Sequence, residues 1–205
     1  MIMKLLEHWR QGPLADGDSL GRFLSGEASY LAQRSTYEFT RNTLAWFGQS
    51  AFGDDKFNAV FRICRWESFA SILAGFVVLT HARLVPAARG EEAALAEGMT
   101  RLFEAQLAAY PTPGHRADWQ EAVSALRATL RTPRSDVVTP ATIGTRAAER
   151  VIETIPVRSP NAAEDRNVIA NAVRLGTIGV NDRLAARLVP DAVIRSLVDV
   201  AAPRP

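Results

Sequence analysis

Apolar side chains recur at intervals of three and four along almost the whole chain, which is the spacing of residues on one helix face. No stretch combines apolar–polar alternation with the β-branched enrichment typical of strands, and no Asn-Gly or Asp-Gly turn joins two such stretches. Segments with a helical period can bury their apolar stripes only by packing against one another. The sequence therefore predicts an all-α protein, a helical bundle.

The aromatic residues indicate which helices lie at the centre of the bundle. A long helix is predicted for residues 27–47 and a second for residues 56–84, which Pro86 ends. Thirteen of the sixteen aromatic residues lie at positions 9–76. Aromatic side chains bury the largest areas, so we expect this aromatic-rich helical hairpin to organise the core.

The glycine and proline signals predict three parts along the chain. Residues 176–179 read Gly-Thr-Ile-Gly, and we expect them to form a turn between two short C-terminal helices. The predicted parts are an N-terminal arm with a short helix (residues 1–26), a main helical bundle (residues 27–155), and a smaller C-terminal helical hairpin with a tail (residues 156–205).

Residues 68–82 form the longest apolar run without Asp, Glu, Lys or Arg. As a helix this run spans about 22 Å, which is shorter than the ~30 Å hydrocarbon core of a bilayer. The run therefore predicts a buried central helix rather than a membrane span. The first residues turn polar at Glu7, so no signal peptide is predicted, and the expected location is cytoplasmic.

Charge is nearly balanced, because 24 basic and 22 acidic residues give a formal net charge of +2. Arginine supplies 22 of the basic residues, a bias typical of GC-rich, bacterial-like composition. Neither half of the chain concentrates positive charge as a nucleic-acid binder does, so no nucleic-acid partner is expected. DNA binding through a helix-turn-helix at residues 168–188 is kept as an alternative.

The residues that usually carry catalysis or bind metals do not occur here in the patterns that those sites need. Residues 17–20 read Gly-Asp-Ser-Leu, which resembles the signature of the GDSL esterases, a family that needs a strand before its serine and a later histidine base. No strand is predicted before residue 17, and no histidine follows His115. The single cysteine and the isolated histidines offer no metal site. The sequence favours a non-enzyme without cofactor or metal.

One helix face carries a pattern that points to a partner. Its members recur at spacings of four, three and four, and they are Tyr30, Arg34, Tyr37 and Arg41. Tyrosine and arginine are over-represented at interface hot spots, so the pattern predicts a partner-binding face. A solvated face, with tyrosines lying over arginine stems, is the alternative.

The start of the chain is amphipathic and offers a second candidate contact. Trp9 and three aliphatic residues line one side of a helix over residues 1–10. Such a segment can dock on a protein partner or lie on a membrane surface, so peripheral membrane contact is kept as a possibility.

Glu67 and His81 are the two polar residues that the pattern places among apolar neighbours on the second long helix. A buried carboxylate needs a partner, because an unpaired buried charge is too costly. We expect a structural ion pair with Arg34 or Arg41, across the hairpin. The alternative is an apolar pocket near Glu67, with both residues as its polar groups.

These observations favour a non-catalytic helical interaction protein, an accessory subunit or assembly factor of a larger complex. The partner is expected to be another protein or a second copy of this chain. A small-molecule-binding or hydrolytic protein with its pocket near Glu67 is the second interpretation.

Overall fold

The computed structural model describes residues 12–47, 49–132, 138–157 and 162–199, and in these ranges the chain is all-α, as predicted. Seven α-helices are described: α1 (Gly17–Phe47), α2 (Asp55–Leu84), α3 (Glu92–Ala108), α4 (Gln120–Arg131), α5 (Pro140–Thr154), α6 (Ala162–Arg187) and α7 (Pro190–Asp199). Short 3₁₀ turns at Gln49–Gly53 and Val85–Ala87 flank α2.

Helix α2 lies at the centre of the bundle and packs against five other helices, α1, α3, α4, α5 and α6. It begins where the Asp54 carboxylate accepts hydrogen bonds from the backbone N–H groups of Lys56 and Phe57, at 2.7 and 3.0 Å. Its buried stripe includes Ile72 and Phe76, each at most 1% exposed. This packing follows from the uncharged run at residues 68–82, which offers apolar side chains on every face.

By length and composition the segment Asp55–Ala87 could also cross a membrane. In this bundle 61% of its most apolar window is buried among the other helices. In this structure the apolar segment therefore forms the central core helix of the bundle.

Helix α1 runs unbroken from Gly17, so the predicted separate short helix ending at Gly26 is wrong. Glycine ends a helix by adopting a left-handed backbone, and among the described glycines only Gly90 has a positive φ, of 97°. The described helices, from α1 to α7, contribute to one hydrophobic core. The boundaries predicted at residues 26 and 155 stay predictions about domain organisation.

Helix α6 also runs without a break, so the predicted turn at residues 176–179 is wrong. A side chain at Gly176 would place its Cβ 2.4 Å from Leu31 Cδ1 on α1. Similarly, a Cβ at Gly144 on α5 would lie 2.7 Å from the Cα of Arg174 on α6. These glycines allow the helices to approach each other closely. Because α6 has no turn at residues 176–179, the helix-turn-helix considered for residues 168–188 is not formed.

A backbone strap joins the start of the described chain to its far end. The N–H of Leu14 donates to the carbonyl of Arg187 at 2.8 Å, and the N–H of Val189 donates to the carbonyl of Leu14 at 3.0 Å. The N–H of Gly17, at the start of α1, donates to Ser196 Oγ on α7 at 3.1 Å. Helices α1, α6 and α7 are thereby held in register.

Candidate protein-docking groove

A cavity with a volume of about 980 Å³ lies between α1 and α6. The two helices are antiparallel, because Glu27 contacts Arg183 at one end while Leu31 lies against Gly176 nearer the middle. The cavity is an open furrow along both helices, and we call it the docking groove. Residues from both helices line it: Glu27, Tyr30, Leu31, Arg34, Ser35, Glu38, Phe39, Asn42 and Thr43 of α1, and Glu164, Asp165, Val168, Ile169, Ala172, Leu175, Gly176, Gly179, Val180 and Arg183 of α6.

The length of the docking groove matches that of an α-helix of several turns. At 1.5 Å per residue its α1 wall, from Glu27 to Thr43, is about 24 Å long, and its α6 wall, from Glu164 to Arg183, is about 28 Å long. A helix of about 16–18 residues would extend along both walls.

The walls of the groove expose two large aliphatic side chains. Leu175 is 63% exposed and Val168 is 52% exposed, whereas Leu31 and Ile169 on the floor are at most 5% exposed. Val168 and Leu175 are seven residues apart on α6, so they face the same way, two turns apart. Adjacent exposed apolar residues over an apolar floor are typical of an interaction site.

Charges are arranged unevenly along the groove. At one end the Arg183 guanidinium donates two hydrogen bonds to the Glu27 carboxylate, at 2.9 and 2.6 Å, and Glu27 is only 5% exposed. At the other end carboxylates gather, from Glu38, Glu164 and Asp165. The lining contains four carboxylates and two guanidiniums in all. Glu38 is paired with Arg34, and Glu164 and Asp165 also take part in interactions, so these carboxylates are not free charges.

The structure places the predicted tyrosine–arginine face on the exposed ridge of α1 that borders the groove. Tyr30 is 61% exposed and Tyr37 is 48% exposed, and Arg34 and Arg41 are exposed as well. Arg34 Nε donates to Glu38 Oε2 at 3.3 Å, within the same helix. The Tyr37 ring packs on Phe52, with ring centroids 5.9 Å apart. The predicted contacts through Trp9 and residues 1–10 lie outside the described residues.

Glu67 lies in a different region, where two arginines and a histidine surround it. We call this set, Glu67 with His115, Arg116 and Arg150, the Glu67 cluster. His115 Nε2 is 2.8 Å from Glu67 Oε1, and Arg116 contacts both carboxylate oxygens, with Nη2 2.8 Å from Oε2. Arg150 donates to Oε2 from Nε and Nη2, at 3.0 and 2.6 Å. The cluster therefore ties α2 to α5 and to the loop before α4.

Five nitrogen atoms surround two carboxylate oxygens that offer about four lone-pair sites, so Glu67 has no remaining acceptor capacity. Burial by itself would raise the pKa of Glu67, which is 4% exposed. Hydrogen bonds from Arg116, His115 and Arg150 outweigh burial and lower the pKa from 4.5 to about 2. An ionised, saturated carboxylate is suited to holding helices together and cannot exchange protons at neutral pH.

The predicted partners of Glu67 are wrong, because neither Arg34 nor Arg41 is its partner. Both arginines lie on the exposed ridge of α1, whereas Glu67 faces α5 and the loop before α4. The half-buried His81 is fourteen residues further along α2, about 21 Å along the helix axis, so it shares no site with Glu67.

Sequence reasoning missed Leu175 and Val168, because the predicted turn at residues 176–179 divided their helix. Had α6 been predicted as continuous, their spacing with Ala172 would have indicated an apolar face. His115 and Arg116 come from a Pro-Gly loop, and no local signal links that loop to Glu67.

No family model, no curated protein and no solved structure matches this chain. Within the described ranges, no three His, Cys, Asp or Glu side chains come together in a way that could hold a metal ion.

Proposed function

We propose that this chain is a non-catalytic interaction protein, an accessory subunit or assembly factor, and that the docking groove binds an amphipathic α-helix of a protein partner. The observation that carries the proposal is the exposure of Leu175 and Val168 over an apolar floor, in a groove as long as a partner helix of about five turns. Laying an apolar helix face into such a groove is a recurring mode of protein recognition.

Burial of the exposed apolar residues would supply the affinity. Removing a leucine or valine side chain from water contributes about 1.5–3 kcal/mol. The floor residue Leu31 is packed against Gly176 and needs no rearrangement before binding. A preformed groove loses little entropy on association, which favours a stable complex.

The apolar pattern of the groove walls defines the partner helix more closely. We expect the partner helix to carry apolar residues at i, i+3, i+4 and i+7 over Val168 and Leu175. Tyr30 and Arg34, on the rim, belong to the residue types that dominate interface hot spots.

Photocrosslinking tests this proposal directly. A photoreactive amino acid replaces Leu175 in the full chain, the chain is expressed in its native host, and crosslinked partner segments are identified by mass spectrometry. The same residue placed at Val60, which is 44% exposed on α2 and outside the groove, is the matched control. We expect a partner segment with helical apolar spacing to crosslink at position 175 and not at position 60.

Equal crosslinking at both positions would contradict the proposal. So would a position-175 crosslink to a second copy of this chain, because the groove would then be a self-association surface. Capture of a protein counts in favour only if Leu175→Glu abolishes its binding while Val60→Glu preserves it.

A second candidate function is binding of a small apolar ligand, and a cavity of about 500 Å³ next to the Glu67 cluster favours it. Small side chains, including Ala70, Ala74 and Gly75, leave room between α2, α4 and α5. Hydrolysis is not part of this candidate, since Glu67 is saturated with hydrogen bonds. Native mass spectrometry of the purified chain would reveal a bound ligand, and its loss in an Ala74→Phe variant would assign it to this cavity.

A further inference from the structure

The side of the α1 ridge that faces α2 carries a second surface, whose chemistry differs from that of the docking groove. Two adjoining hollows of about 330 Å³ each share Gln33 and Arg65 in their walls. We call this surface the arginine–aromatic face. Its arginines are Arg34, Arg62 and Arg65, and its aromatic residues are Tyr30, Tyr37, Phe61, Trp66, Phe69 and Tyr110.

The arginines of this face outnumber its carboxylates by three to one, because Glu38 is its sole acidic lining residue. Glu38 is already paired with Arg34 in the same helix, at 3.3 Å. Arg62 and Arg65 are exposed, one helical turn apart on α2, and neither forms a hydrogen bond or an ion pair with any other residue in the described ranges. Two guanidiniums side by side thus offer all their donors to a ligand.

The aromatic residues are held in place before any ligand arrives. Trp66 packs edge-to-face on Phe69 and on Tyr110, with ring centroids 6.0 and 5.6 Å apart. Tyr110 lies just beyond the end of α3 and is still 41% exposed. At the other end of the face, contact with Phe52 holds Tyr37. Rings that are fixed and partly exposed can bury area on a ligand at little entropic cost.

We propose that the arginine–aromatic face binds an acidic peptide segment of a protein partner, one that carries glutamate or aspartate interspersed with aromatic or aliphatic residues. Guanidiniums at positions 62 and 65 pair with its carboxylates, with the bidentate geometry that arginine favours. Tyr110, Trp66 and Tyr37 receive its apolar side chains. This inference does not depend on the docking groove, whose lining has the opposite excess of charge.

A peptide fits these features better than a single-stranded nucleic acid does. Nucleic-acid binding grooves follow the phosphate backbone with a continuous series of cations. Here Arg62 and Arg65 are the two unpaired cations, and the carboxylate of Glu38 interrupts the face. Two arginines are enough to pair with the few carboxylates of a short acidic peptide.

The test uses the full chain and three fluorescent probes of twelve units. They are a peptide repeating Glu-Glu-Phe, a peptide repeating Glu-Glu-Ser, and oligothymidine, and binding is measured by anisotropy at low and physiological salt. We expect the Glu-Glu-Phe peptide to bind at least tenfold more tightly than the Glu-Glu-Ser peptide. Oligothymidine is expected to bind more weakly than either peptide.

Two charge-reversal variants locate the binding. Arg62→Glu with Arg65→Glu should weaken peptide binding at least tenfold, while Arg166→Glu with Arg174→Glu, an equal charge change on exposed positions of α6, should change it less than twofold. Tyr110→Ala should remove most of the preference for phenylalanine. Equal losses in both double variants, absence of peptide binding, or tighter binding of oligothymidine would each overturn the proposal. Unchanged circular dichroism spectra verify that the variants are folded.

Discussion

The Glu67 cluster buries a charged side chain, whereas the docking groove exposes an apolar one. In the cluster a charged side chain is 4% exposed, and five nitrogen atoms satisfy its carboxylate. In the groove a leucine is 63% exposed, although the bundle has a well-packed core in which it could have been buried. The cluster compensates its buried charge with other residues of the chain, whereas none of the described residues covers the exposed leucine.

This contrast predicts that substitutions in the two regions have different effects. A buried charge is kept only where its partners hold it, so disruption of the cluster should lower stability. An exposed apolar residue contributes little to the folded state, so disruption of the groove should lower binding and leave stability nearly unchanged. Measurements of stability on variants of both regions test this difference.

Glu67→Ala should produce the largest loss of stability. It leaves Arg116 and Arg150, which are partly buried, without their shared acceptor, and such a change costs about 3–5 kcal/mol. Urea denaturation measures the free energy of unfolding. The control is Glu97→Ala, which removes a carboxylate that is 29% exposed and also pairs with two arginines. A loss of about 1 kcal/mol or less is expected there, and equal losses in both variants would erase the distinction.

Acid should remove the contribution of the Glu67 cluster. The pKa of Glu67 is about 2 when folded and 4.5 in a model compound, so its contribution to stability is present above about pH 5 and falls as the pH approaches 2. A difference of this size corresponds to about 3 kcal/mol. The free energies of unfolding of the wild type and Glu67→Gln, measured from pH 7 to pH 2, should converge as the pH falls. Parallel curves would show that the folded and unfolded pKa values are equal.

Two glycine substitutions sharpen the contrast between the packed and open faces of α6. Gly144→Ala places a Cβ 2.7 Å from the Arg174 Cα, so we expect it to lower the free energy of unfolding by about 2 kcal/mol. At Gly179 a Cβ meets only Arg183 Nη1, at 3.5 Å, so Gly179→Ala should raise that free energy by about 0.5–1 kcal/mol through helix propensity. Thermal melts distinguish the expected loss of stability at Gly144 from the expected gain at Gly179. A loss at both positions would mean that the space around Gly179 in the groove is filled.

Substitutions on the α1 ridge should have the smallest effect on stability. Arg34→Ala and Tyr37→Ala are each expected to change the free energy of unfolding by no more than about 0.5 kcal/mol, because both side chains are largely exposed. Binding of an acidic peptide to the arginine–aromatic face, which both residues line, should weaken by about 2 kcal/mol, near thirtyfold in affinity. A large loss of stability with unchanged binding would make the ridge structural.

Local signals predicted some helix ends, because capping is a property of a few neighbouring residues. At the start of α5 the Thr139 hydroxyl accepts a hydrogen bond from the backbone N–H of Thr142 in a capping box, and Pro140 is the first helical residue. The predicted end of α2 near Leu84 is confirmed as well. An all-α fold follows from such signals and from the spacing of apolar residues.

Contacts between distant segments could not be predicted in the same way. Whether Gly176 makes a turn or a close helix contact depends on Leu31, which is far away in sequence. The burial of Glu67 is favourable only because Arg116 and Arg150 reach it from later segments. The docking groove exists because nothing described covers Leu175, and one sequence does not reveal which face of a helix remains uncovered.

The backbone strap has a consequence for the order of events in folding. Gly17 and Ser196, which it brings together, are 179 positions apart. Closing so long a loop costs entropy that is recovered only when the intervening helices are already docked. The strap should therefore form after the rate-limiting barrier, so that Ser196→Ala accelerates unfolding and leaves the refolding rate unchanged. Its hydrogen bonds then slow unfolding without changing the folding rate, so they determine the lifetime of the native state.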